Sequence, residues 1–320
     1  MNMHKNVFKE SNTSVKKAVK YLERSKLVAL KTETVYGLAC DPSNIEAINK
    51  LYELKKRPAF NPLIIHVNSL DLAKKISFVN RKAEEIMKKF WPGPLTLVLP
   101  RKKNSFVHDF AVSGLETIAI RFPNSEIINK IISAFKRPIA APSANTSGYI
   151  SSTDAHHVIE CFGNKVDLVI NSGRSNYGIE STILDLTGPT PIIQRLGVID
   201  SSLLKERLGV EILESHLKDN KRPNSPGQCL KHYSPKTPLK VNVNSPKIGD
   251  AFLNFGNDNS ITHDPSLNLS KSSNLNEAAY NLFDFLRKLD KLKKKRIVVA
   301  PIPYIGIGKT INERLERASI

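Results

Sequence analysis

Between Ser14 and Pro42 the chain reads SVKKAVKYLERSKLVALKTETVYGLACDP, and two periodicities follow one another within it. Val15, Ala18, Val19 and Leu22 recur at i, i+3, i+4 and i+7, which gathers apolar groups on one helix face behind Ser14. Leu27 to Leu30 is then a short apolar run of strand length. A helix handing over to a strand, with Lys31-Thr32-Glu33-Thr34 directly beyond it, is the unit of an α/β fold, whose ligands gather at strand ends. Gly37 reads as the close of a tight turn.

The same alternation continues on the C-terminal side. Ser43-x-x-Glu46 has the form of a capping box and opens a helix with Ile45, Ile48 and Leu51 inward. Strands are expected at Pro62 to Val67, Leu95 to Leu99, Thr117 to Phe122, Ile139 to Ala141, Leu168 to Asn171, Ser181 to Leu186 and Pro191 to Arg195. Helices are expected at Asn80 to Phe90 and Ser125 to Phe135. Asp219 to Gly227, DNKRPNSPG, has Pro, Asn, Ser and Gly without apolar periodicity and reads as a linker. Beyond it lie a strand at Leu239 to Val243, a polar stretch from Gly256 to Asn276, and a helix bearing Leu275, Ala279, Leu282, Phe285, Leu286 and Leu289. A buried-type strand at Arg296 to Ala300 and a helix at Thr310 to Ala318 end the chain. The expected organisation is a domain over 1–217, a linker or lid over 218–236 and a smaller domain over 237–320; 320 residues suit two domains.

Composition narrows the function. Lysine and arginine exceed aspartate and glutamate by 18, with +11 of the excess in residues 1–210 and +7 in residues 211–320, so the charge is spread through the chain. Such a surplus favours anionic partners. Cys40, Cys161 and Cys229 are too few and too far apart for a disulfide framework or a cysteine zinc site. The longest apolar stretch, Ile297 to Ile307, is broken by Pro301 and Pro303, and Met1 to Glu10 has no apolar core of a signal peptide. No membrane association is expected, and a cytoplasmic location is.

Chemistry is expected in loops dense in hydroxyls, amides and cations. These are Lys31 to Leu38, Lys55-Lys56-Arg57 with Asn61, Arg121 at the end of TIAIRF, Ser143 to Gly148, and Gly178 to Thr182 with Gln194-Arg195. They contain no G-x-S-x-G and no cysteine with a histidine partner. An inventory of cations and hydrogen-bond donors without a nucleophile suits nucleotidyl transfer, in which the attacking atom comes from a substrate. Two other motifs lead elsewhere. Ile305 to Thr310, IGIGKT, copies the end of a phosphate loop but has Pro303 where the first glycine belongs, so a strand-to-helix turn is expected. His156-His157 with Glu160 lacks an i, i+4 histidine pair, and no metal site is assigned to it.

KTETVYGLACDP, KKRPAFNPLIIHV, FWPGPLTLVL, IAIRFP, APSANTSG, GIESTILDL and IIQRLG resemble, in order, the signature segments of the YrdC-like threonylcarbamoyl-AMP synthases. SPGQCLKHYSP and the C-terminal IGIGKTINERLERA resemble the long, two-domain type. The resemblance implies a YrdC-like twisted mixed-sheet domain followed by a small Rossmann-like α/β domain. It also implies a reaction: L-threonine, bicarbonate or CO2, and ATP with Mg2+ give threonylcarbamoyl-AMP and diphosphate. A downstream tRNA threonylcarbamoyltransferase would use the product on tRNAs reading codons that begin with A. By motif, Lys55, Arg57, Ser143 and Asn145 form the catalytic K-x-R and S-x-N pairs. Thr34, His66, Arg121, Ala141 and Ser181 would contact threonine; Arg57, Asn61, Thr117, Ser143, Ser151, Arg195 and Tyr233 would contact ATP.

Lys56 replaces the family's usual glycine, while Lys31 and Leu196 replace usual prolines, and Gln228-Cys229-Leu230 is less basic and aromatic than the usual linker. The competing class is a protein that holds double-stranded RNA or tRNA without chemistry, which the charge permits. Against it stand the absence of an RNP-like aromatic motif and the cost of burying so many polar groups at strand ends without a use. Weak tRNA binding is compatible with either class. The related hydrogenase-maturation carbamoyltransferases add zinc fingers that three scattered cysteines cannot supply.

Overall fold

The computed structural model describes residues 5–103, 106–215, 232–257 and 263–319. Most of the expected linker, including Cys229, lies outside them. The first domain runs β1 (Val7–Lys9), α1 (Asn12–Leu22), β2 (Val28–Lys31), β3 (Tyr36–Ala39), α2 (Ile45–Lys55), β4 (Ile64–His66), α3 (Leu70–Ile76), α4 (Arg81–Phe90) and β5 (Leu95–Pro100). It continues with β6 (Thr117–Arg121), α5 (Glu126–Phe135), β7 (Ile139–Ala140), α6 (Ala155–Phe162), β8 (Leu168–Asn171), β9 (Thr182–Asp185), β10 (Ile192–Arg195), α7 (Ser201–Leu208) and β11 (Leu213–Glu214).

Two mixed sheets result, one ordered β1-β8-β2-β3 and the other β11-β10-β9-β5-β6-β4-β7. They are stitched edge to edge: Cys40 and Ala140 exchange backbone hydrogen bonds of 2.9 and 3.0 Å, and the Leu38 amide donates to Pro142 O at 2.8 Å. Gly37 sits at this seam because a Cβ there would stand 3.1 Å from Ala141 Cβ, tighter than side chains normally pack. The polar loop after β2 and the Ser143 loop after β7 are thereby brought together.

The second domain runs β12 (Leu239–Lys240), β13 (Asp250–Asn254), β14 (Ser266–Asn268), α8 (Leu275–Lys291), β15 (Arg296–Val299) and α9 (Ile307–Ala318). Its sheet, ordered β12-β15-β13-β14, is parallel throughout. The architecture is the expected twisted mixed-sheet domain with a small Rossmann-like partner. Docking between the two is intimate, since Val35, Ile150 and Ile179 of the first domain join the apolar core of the second. Arg287 of α8, 1% exposed, donates to the carbonyls of Ile150 and Ser151.

Local structure departs from the sequence expectations at several points. Tyr36–Ala39 is a strand and not only a turn, because its backbone finds partners on β2 and on the Ser143 loop. Asn44, not Ser43, caps α2: its Oδ1 accepts from the Glu46 and Ala47 amides, while the Ser43 hydroxyl donates to Asp41 Oδ1 at 2.7 Å. The strand expected to reach Val243 stops at Lys240, and Asn242 turns the chain at φ +57°. The polar stretch after Gly256 contains β14, and β13 precedes it; α9 begins at Ile307, ahead of Thr310. The short helices α3 and α7 carry too few turns for a visible period.

Candidate active site

One cavity collects the polar strand ends. Thr32, Thr34, Val35 and Gly37 line it from the loop and strand after β2, Arg57 from the turn after α2, Ile64 and His66 from β4, and Arg121 from β6. Ala141, Pro142 and Ser143 follow β7; Glu180 and Ser181 precede β9; Arg195 ends β10; His232 and Tyr233 arrive from the end of the linker. His66 stands in register with Arg121, and Ile64 with Ala119, so alternation along paired strands puts these side chains on one sheet face. Buried Ile64, Val98, Ala119 and Ile183 give that face an apolar floor.

Arg121 is fixed from three sides. Its Nε donates to Gly93 O, Nη1 donates to Thr34 Oγ1 at 2.9 Å, and Nη2 lies 2.6 Å from Glu33 Oε1. This is a buried ion pair that pre-aims a planar, bidentate cation. Beside it, burial and the Arg121 charge hold the His66 imidazole well below the usual histidine range, so it is neutral, and its buried Nδ1 has no hydrogen-bond partner among the described residues. Ser181 Oγ lies 2.8 Å from Thr96 Oγ1, and Arg195 donates to Ser181 O. Burial pulls the Arg195 guanidinium down to about 10. Burial alone would raise the Glu180 carboxyl, but Arg314 and Arg195, with the Ser151 hydroxyl, hold it below its ordinary value.

The K-x-R and S-x-N segments are locked to each other. Lys55 ends α2, and its ammonium donates to the carbonyls of Ser143 and Asn145, while its own carbonyl accepts from the Ser147 amide. Burial and the Arg57 charge push Lys55 well below the usual lysine range. Lys56 then takes φ +52°, the left-handed region that glycine enters without strain, which accounts for glycine being the usual residue there. That reversal sends Arg57 into the cavity, where Asn61 Oδ1 and the Asn61 and Pro62 carbonyls accept from it.

Of the expected site residues, Thr34, Arg57, His66, Arg121, Ala141, Ser143, Ser181, Arg195 and Tyr233 line the cavity. Lys55, Asn61, Asn145 and Ser151 lie behind it. Asn61 orients Arg57, Asn145 donates to the Thr146 and Tyr149 carbonyls, and Ser151 donates to Glu180. Thr117 is at the opposite end of β6 from Arg121, paired with Pro100. Sequence reasoning did not assign Thr32, Glu33 or Glu180, although all stand inside motifs it quoted, and it expected His232 only as a neighbour that the linker delivers beside Tyr233. Arg314, which reaches Glu180 from α9, stands inside the quoted C-terminal segment IGIGKTINERLERA and was likewise not assigned.

The IGIGKT segment belongs to the domain interface. A Cβ at Gly308 would fall 2.1 Å from Pro303 O, and Thr310 Oγ1 donates to Gly197 O at 2.9 Å. His157, adjacent to His156, lies 3.3 Å from Asp284 Oδ1 on α8.

Residues 20–197 match the family described as "Telomere recombination", and residues 198–319 match "Threonylcarbamoyl-AMP synthase, C-terminal domain". The chain belongs to the threonylcarbamoyl-AMP synthase family. Relatives bearing that name include one from Pyrococcus abyssi, 36% identical over 94% of this chain and 93% of its own length. Another, from Bacillus subtilis, is 32% identical over 97% and 94%. The crystal structure of P. abyssi Sua5 complexed with L-threonine superposes with a TM-score of 0.89 at 33% identity, covering 98% of this chain and 96% of that one. Both halves of this synthase family are thus present in one chain.

Proposed function

We propose that the cavity condenses L-threonine, bicarbonate or CO2, and ATP into threonylcarbamoyl-AMP and diphosphate. The observation that carries this reading is the pre-aimed Arg121, with Thr34, neutral His66 and Ser181 around it and two further guanidiniums, Arg57 and Arg195, in the same cavity. Arg121 would take the threonine carboxylate through its planar fork, and the apolar floor would receive the methyl. The threonine amine, once neutral, attacks the carbon of CO2 and loses a proton to give a carbamate. A carbamate oxygen then attacks the α-phosphorus, the bond to the β-phosphate oxygen breaks, and diphosphate leaves.

The protein's part is placement and charge stabilisation. Arg57, Ser143 and Arg195 face the phosphates, Tyr233 the nucleotide, and Lys55 and Asn145 hold the loops that present them. Magnesium enters as part of the MgATP substrate. Phosphate and water oxygens would supply most of its coordination, as is usual for magnesium on a nucleotide. The product is a mixed anhydride, suited to a tRNA threonylcarbamoyltransferase that uses it as an acyl donor. No helix among the described residues is long and apolar enough to cross a membrane.

The test is mass spectrometry of a reaction with ATP, labelled bicarbonate and threonine. The expected outcome is labelled threonylcarbamoyl-AMP with equimolar diphosphate, only when all three are present. Equal ATP turnover without threonine would refute the reading.

A further inference from the structure

Arg314 lies on α9 of the second domain, outside the cavity wall, and is 1% exposed. Its Nη1 pairs with Glu313 on the same helix, and its other contacts reach toward that wall. Nε pairs with Glu180 Oε2 at 3.0 Å, Nη2 donates to Leu196 O at 2.7 Å, and the guanidinium stands 4.7 Å from the centre of the Tyr233 ring. Glu180 and Tyr233 both line the cavity. A guanidinium this deeply buried is costly unless it is paired. Arg314 is paired to one wall residue and stacked against another, so it ties their positions together.

The surrounding contacts make this a seat for the end of the linker. Tyr233 adopts φ +65°, a left-handed conformation that only surrounding contacts sustain in a tyrosine. Its ring stacks on Phe283 of α8 at 5.6 Å and has Arg317 5.1 Å away on the α9 side. The neighbouring backbone is pinned at both ends: the His232 amide donates to Arg317 O and the Ser234 amide to Gly148 O. α9 is itself indexed to the first domain by the Thr310 bond to Gly197. Gly197 in turn packs so closely on β9 that a Cβ would fall 2.2 Å from the Thr182 amide nitrogen.

We infer that Arg314 is a positioning residue for the reaction, supplied by the second domain: it seats Tyr233 in the cavity and fixes the Glu180 carboxylate beside Arg195. This rests on the function proposed above and assigns the second domain a part in it. Losing a group that only positions others costs about 10²-fold in rate when the reacting atoms shift by around an ångström.

The experiment uses the full chain with Arg314→Gln, Arg314→Lys, Tyr233→Ala and the Arg314→Gln/Tyr233→Ala double variant. Arg314→Gln should lower kcat for threonylcarbamoyl-AMP formation about 10²-fold. Threonine KM should stay within about threefold, and Arg314→Lys, which keeps the charge, should restore part of the rate. In the Tyr233→Ala background the Arg314 change should cost less than about threefold more, because the two act as one unit. Hydrogen exchange gives a readout that needs no activity. The Ser234 amide should exchange faster in both Arg314 variants while α8 keeps its protection, and Arg314→Lys serves alone if the Gln variant does not fold. A wild-type kcat in Arg314→Gln, fully multiplicative losses in the double variant, or unchanged exchange at Ser234 would each overturn the inference. A wild-type protein that makes no threonylcarbamoyl-AMP would instead sink the proposed function, with the exchange result still deciding whether Arg314 seats the linker.

Discussion

Two cations of the cavity, Arg121 and Arg57, are held by different means. Arg121 sits on a strand inside the first domain, with a buried carboxylate, a hydroxyl and a carbonyl around it. Arg57 sits on a reversed turn and is held by amide and carbonyl oxygens, and the groups that join it, His232 and Tyr233, come from the linker and are buttressed by the second domain. The first arrangement is built entirely within one domain. The second is assembled from three parts of the chain: the turn after α2, the end of the linker and the second domain.

Removing each cation in turn separates the two arrangements. Loss of a preorganised charged donor costs on the order of 10² to 10³ in rate. Arg121→Ala should show this mainly as weaker threonine saturation, and Arg57→Ala mainly as lower kcat. Steady-state kinetics that changed in the same way for both variants would erase the distinction.

Lys55→Met tests whether the Arg57 turn and the Ser143 loop depend on the buried clamp. It leaves the Ser143 and Asn145 carbonyls without their donor, and unfolding stability should fall by roughly 2 to 4 kcal/mol. Denaturant melts showing no loss would mean the loop is held without it.

The cavity also holds two buried histidines, His66 and His232, and burial together with neighbouring arginines holds both well below the usual range. The sign follows from proton uptake: below about pH 6.5 the unfolded chain binds protons that the folded chain does not. Stability is therefore full above that pH and declines as pH falls, by up to about 1.4 kcal/mol per pH unit for each histidine. Urea unfolding at several pH values should show the decline, and His66→Asn should remove about one proton from its slope. A pH-independent stability would contradict neutral burial.

The smallest effect belongs to Lys56. Replacement by glycine relieves a left-handed conformation but adds freedom to the unfolded chain, leaving a gain of about 0.5 kcal/mol. A measured loss would mean that the Lys56 side chain makes a contact of its own worth keeping.

The sequence by itself determined what depends on near neighbours. Helix and strand periods established the α/β class, and the order of polar loops at strand ends placed Thr34, Arg57, Arg121, Ser143 and Ser181, all of which meet in one cavity. Elements that repeat their period too few times to betray it, such as β14 and α3, are not visible in the sequence, nor is β3, whose strand character comes from a partner strand and from the Ser143 loop. Tertiary structure alone decided which polar groups face the cavity and which stand behind it. Lys55 and Arg57 are two residues apart, yet a left-handed turn at Lys56 sends one to backbone carbonyls and the other to the cavity. Glu180 meets Arg314 across 134 positions of sequence. Periodicity is a property of neighbouring residues, whereas the partner of a buried charge is fixed by whichever element packs against it, and no local pattern records that choice.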